Sequence, residues 1–151
     1  MHPIYLLLHL AGVVLWVGGM FFAWMCLRPV AAEQLEPAAR LKLWAAVFAR
    51  FFPWVWGSVL TIILSGLEPL LATGMRQAPL HWLLMMLLGL TMSTIFIYVF
   101  VVPYGKLKVA VADQDWPTGG MALGQIRRLI GTNLILGIAT IAVASLGRLL
   151  G

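Results

Sequence analysis

The chain has 151 residues, 62% of them hydrophobic and only 10% charged. Its mean hydropathy is +0.99. A soluble domain is about half apolar and a quarter charged, so the surplus apolar surface has to face lipid, and the length points to one domain. The formal net charge of +5 does not make a nucleic-acid binder, because the basic residues gather in two short stretches between apolar runs.

The first run, Ile4 to Leu27, carries no charge over 24 residues. At about 1.5 Å per residue it reaches across a hydrocarbon core of about 30 Å. It lacks a preceding basic segment and is too long for the apolar part of a signal peptide, so it reads as a retained helix. His2 and His9 are seven residues apart on one helical face. Gly12, Gly18 and Gly19 leave room for close helix packing or a flat ligand. Cys26, the single cysteine, has no intrachain disulfide partner and is expected as a small buried side chain.

A basic stretch follows with Arg28, Arg40, Lys42 and Arg50. Within it, Glu36-Pro37 opens a segment where Leu41, Trp44, Ala45 and Phe48 recur at helical spacing. The second run, Phe51 to Thr73, is interrupted only by Glu68, and Pro53 is positioned to kink its start. The third, Leu80 to Val102, is uncharged and begins with His81, followed one turn later by Met85 and Met86. Next come Lys106, Lys108, Arg127 and Arg128, with Asp115 as a helix N-cap and Pro117 in the first turn. The fourth run, Leu129 to Gly147, is uncharged, and its Asn133 is suited to an interhelical hydrogen bond. Trp54 and Trp82 are the expected interface anchors among the tryptophans.

The four runs predict an all-α, up-down bundle of transmembrane helices forming one domain over residues 1–151. Eight cations fall in residues 28–50 and 103–128, against two, Arg76 and Arg148, on the other side. The positive-inside rule then places both basic stretches in the cytoplasm of a bacterial inner (plasma) membrane, with both termini and the 74–79 turn facing the periplasm.

The two hairpins resemble each other. One runs from Leu8-His9 to Arg28-Pro29 and returns to Ser65-Gly66. The other runs from Leu80-His81 to Val102-Pro103 and returns to Ser145-Leu146-Gly147. Histidine and proline are 20 residues apart in the first and 22 in the second. A duplication with both copies inserted the same way has its axis along the membrane normal. His9 and His81 would then lie at matched depth on diagonal helices, facing one another near the outer surface. An ionisable group inside a span suggests function. Glu68 lies at a similar depth, and Met85 shares a face with His81.

No catalytic triad, phosphate loop or zinc signature is present. Imidazole suits copper, iron and zinc, and thioether selects Cu(I). His9 and His81, with His2, Glu68 and Met85 as further ligands, therefore read as a copper site. The same two histidines read equally as axial ligands of haem b in a membrane redox protein, the enzymatic alternative. A structural or assembly subunit without cofactor is the third reading. Expected partners are the bilayer, a periplasmic metal or electron donor, and a second copy in a homodimer.

Leu8-His9-Leu-Ala-Gly-Val-Val-Leu-Trp16-Val-Gly18-Gly19-Met-Phe-Phe resembles the opening helix of the copper resistance protein D (CopD) family. The likeness continues through Ala45-Ala-Val-Phe-Ala-Arg50-Phe-Phe-Pro53-Trp54, Ala78-Pro-Leu-His81 and Gly124-Gln-Ile-Arg127-Arg128-Leu-Ile-Gly-Thr-Asn133. This resemblance implies an inner-membrane protein of copper resistance or uptake. More distantly, Leu8-His9, Trp16, Gly19 and Phe21 resemble the first helix of HemJ-type protoporphyrinogen oxidases, which implies haem ligation by His9 and His81. The chain departs from that second pattern where it has Leu83 for a lysine and Leu134 for a glutamate.

Overall fold

A computed structural model describes residues 3–74 and 76–147. In lipid every backbone group must be bonded within its own segment, and the apolar runs are helical throughout. Helix α1 (Pro3–Phe22) passes through a π-helical turn at Ala23–Leu27 into α2 (Arg28–Gln34). After a break at Leu35, Pro37 starts α3 (Pro37–Thr73). Its 37 residues make a rod about 56 Å long at 1.5 Å per residue. Pro53 and Pro69 both lie inside α3 without ending it. Gly74, at φ 82°, stops the helix in a conformation that favours glycine.

The return starts with α4 (Leu80–Val101). Pro103 cannot donate to the preceding turn, so the chain breaks at Val102 and resumes as α5 (Pro103–Ala112). A turn holding Gln114 at φ 58° leads into α6 (Trp116–Leu146), capped by Asp115, whose carboxylate accepts the Thr118 amide at 3.2 Å. The basic stretches are thus continuous helix over most of their length, as the spacing of Leu41, Trp44 and Phe48 implied.

Four helical rods, Pro3–Gln34, Pro37–Thr73, Leu80–Ala112 and Trp116–Leu146, are long and apolar enough to cross a membrane. The α1 rod packs along α3, α3 on α4, α4 along α6 and α6 back on α1, with α3 also touching α6. Backbones of α1 and α4 do not approach each other. They meet through large side chains instead, with the Trp16 and Phe96 rings edge-on at 6.1 Å. This is the up-down bundle the four runs predicted, with α1 and α4 as its wide diagonal.

The core is aromatic and lies toward the basic end. Phe48 stacks on Phe52 at 5.0 Å, and Phe52 meets Tyr104 at 4.9 Å and Phe96 at 5.4 Å, both edge-on. Edge-on and offset pairs each add about 0.5–1.5 kcal/mol beyond their area burial. Leu7, Leu64, Leu71 and Ile135 face outward, each at least two-thirds exposed, as lipid-facing residues must. Trp54 is exposed and Trp82 half-buried.

One expectation is overturned. Cys26 is exposed, not buried. The π turn directs Trp24 inward, where its ring meets Gly131 of α6. A residue two positions later in so wide a turn falls on nearly the opposite face.

Candidate functional site

The end of the bundle holding the 74–79 turn carries His9, Ser65, Gly66, Glu68, His81, Met86 and Gly147. His9 lies on α1 with its Nδ1 2.8 Å from Ser65 Oγ on α3. The Ser65 hydroxyl has one proton and gives it to the Thr61 carbonyl at 2.5 Å, a common arrangement for helical serine. Ser65 Oγ can then only accept from the ring. That assignment puts the His9 proton on Nδ1 and makes Nε2 the unprotonated nitrogen.

Gly66, the residue after Ser65, lies beside the same ring. A Cβ built on it would lie 3.6 Å from His9 Cε1 and 3.9 Å from Met86 Cε. The imidazole of His9 from α1 and the terminal methyl of Met86 from α4 therefore both border one glycine of α3. Met86 was less conspicuous in the sequence than Met85, which shares a face with His81. Met85 is half-buried.

His81 occupies the first turn of α4 and packs on the end of α6. A Cβ at Gly147 would come within 2.5 Å of His81 Cβ and 2.9 Å of its Cγ. The His81 ring also stands edge-on to Trp82 at 6.2 Å. Among the described residues, His81 Nδ1 and Glu68 Oε2 are buried without a hydrogen-bond partner. Buried polar atoms are rarely left so, and two at one end of a bundle mark a place where ligation would compensate the desolvation. Both atoms are donors to a metal in their unprotonated forms.

Each histidine is thus held by its own hairpin: His9 by Ser65-Gly66, His81 by Gly147. These are the two small-residue segments matched when the hairpin sequences are set side by side. No group of three or more His, Cys, Asp or Glu side chains gathers among the described residues. His2 lies outside the described residues.

Ser65, Gly66, Met86 and Gly147 are the contributions that residue chemistry alone did not single out. The paired Ser-Gly segments of the repeat were the signal that pointed at three of them. Midway along the bundle, Asn133 makes the interhelical hydrogen bond its position suggested, donating to the Met92 carbonyl at 3.0 Å.

The family model of copper resistance protein D (CopD) matches residues 45–146. This covers α4, α5, α6 and most of α3. No curated protein and no solved structure matches the chain.

Proposed function

The chain belongs to the copper resistance protein D family, and from that premise we propose that it takes up or passes Cu(I) at the end of the bundle that holds His9 and His81. The observation that carries this reading is the convergence of the His9 ring and the Met86 methyl on Gly66. Imidazole with thioether is a donor pair that suits Cu(I) and disfavours hard cations. His9 offers Nε2, because Ser65 occupies Nδ1.

His81 and Glu68 form the outer part of the same site. Met86 lies five residues further along α4 than His81, about 7.5 Å deeper at 1.5 Å per residue. An ion arriving at the mouth meets His81 and the Glu68 carboxylate, whose charge offsets that of the ion. It then moves inward to His9 and Met86. By the positive-inside rule the mouth faces the periplasm of an inner membrane, so a periplasmic donor supplies the metal. Copper is cargo in this scheme, and no bond of a substrate is broken.

The test is Cu(I) titration of the detergent-purified protein against a competing chelator, with metal analysis and a visible spectrum. One tightly held Cu(I) is expected. His9→Ala, His81→Ala and Met86→Leu should each weaken it by roughly 10-fold or more, and Met85→Leu should weaken it less. Undiminished binding in a His9→Ala/His81→Ala double variant removes the site. A Soret band that disappears with either histidine assigns haem b to these residues instead.

A further inference from the structure

At the opposite end of the molecule, a cavity of about 660 Å³ opens between the π turn, α2, the start of α3 and the first half of α6. Its walls include Trp24, Trp44 and Trp116, and three guanidiniums border it: Arg28, Arg40 and Arg127. Glu33, Glu36, Asp113 and Asp115 belong to the same end of the chain, yet none of them lines it. The charges acting on Arg127 are those of Arg28, Arg40 and Arg128, all positive. Arg28 is fixed with its Cζ 4.4 Å above the Trp24 ring, a cation–π contact that leaves its N–H groups free to donate sideways.

Three arginines crowded round one cavity without an acid on its wall repel one another, and an anion there relieves the repulsion. Depth and shape narrow the anion further. Arg28 directly follows the first uncharged run and Arg127 and Arg128 directly precede the fourth, so the guanidiniums lie at headgroup level. The aromatic walls suit an apolar body rather than a hydrated ion. The π turn, a device frequent at functional sites, swings Trp24 across to Gly131 and shapes one wall.

We propose that this cavity is a binding site for one anionic phospholipid, with Arg28, Arg40 and Arg127 on its phosphate and the tryptophans against its glycerol and upper acyl chains. Arginine's planar fork matches phosphate oxygens two at a time. Basic pockets between transmembrane helices at the cytoplasmic boundary are the expected seats of such headgroups. The site is independent of the copper reading, sharing no residue with it.

The experiment uses the full chain in detergent, with phosphatidylglycerol or phosphatidylcholine added to the micelles. Phosphatidylglycerol should raise the thermal midpoint by about 5 °C, as a saturating one-site ligand does, and phosphatidylcholine should not. An Arg40→Gln/Arg127→Gln variant should lose more than half of that shift, while Lys106→Gln, an exposed cation away from the cavity, should keep it. Equal shifts with both lipids overturn the proposal, as does a full shift in the double variant. Inorganic phosphate reproducing the whole shift without lipid overturns the lipid as its source. If the double variant does not fold, the wild type decides: chain-brominated phosphatidylglycerol must quench tryptophan emission more than chain-brominated phosphatidylcholine at equal mole fraction, and equal quenching overturns the site.

Discussion

Ser65 is hydrogen-bonded to a residue 56 positions away. On the proposed copper reading, its contact with His9 Nδ1 at 2.8 Å makes it an outer partner of a ligand, and such partners commonly carry 10–100-fold in metal affinity. Ser65→Ala should therefore lower Cu(I) affinity by roughly 10-fold while the helical content by circular dichroism is unchanged. Gly147 acts on His81 by contact instead. Gly147→Ala would bring a methyl within 2.5 Å of His81 Cβ, and a Cu(I) titration should register the displaced imidazole. Gly131 has the same relation to Trp24, whose ring edge lies 2.8 Å from the Cβ that glycine lacks. Because Arg28 holds that ring, Gly131→Ala should cost about 1–3 kcal/mol, measured as a lower thermal midpoint. His9 and His81 were legible in the sequence because ionisable groups stand out in apolar runs. Met86 was not, because the choice between two neighbouring methionines depends on the rotation of α4 about its axis. That rotation is fixed by packing against α3 and α6, and α4 is apolar on every side, so no stripe in its sequence reveals it.

Among the elements, α6 is the one whose start the sequence specifies most fully. Asp115 caps it and Pro117 follows in the first turn. Hydrogen bonding by Thr118, from its side chain and its amide, holds the Asp115 carboxyl below the usual carboxylate value. The folded value lies below the unfolded one, so this stabilisation is complete above the unfolded value of about 3.9 and is lost as pH falls through the folded value. Thermal midpoints followed from pH 6 to pH 3 should fall less steeply in Asp115→Asn than in the wild type. The preceding residue, Gln114, holds φ at 58°, a left-handed conformation that costs a non-glycine residue about 1 kcal/mol. Gln114→Gly should raise the thermal midpoint, since the native backbone there suits glycine. Helix identities and approximate limits were legible because charge-free length leaves no alternative in lipid. The π turn at Ala23–Leu27 was not. Pro29, which has no N–H to return to Met25, lies just beyond the turn, but which helical turn widens is not written in that residue alone, and the turn places Trp24 beside Gly131 and Cys26 outside.

For the whole molecule, the two hairpins hold their histidines differently: His9 Nδ1 meets Ser65 Oγ, whereas His81 Nδ1 has no hydrogen-bond partner. His9 rests on Ser65-Gly66 and His81 on Gly147, so each imidazole is secured within the hairpin that contributes it. The two hairpins then join through Trp16, Phe52 and Phe96. What the sequence could not convey is that α3 and α6 touch while α1 and α4 stand apart. Both diagonals of an up-down bundle are equivalent until the ring sizes at the centre are weighed. The division into self-sufficient hairpins has a consequence for how the protein is put together. A cell given residues 1–74 and 76–151 as two separate polypeptides should insert each independently and let them find one another in the bilayer, so that a tag on one draws the other through purification.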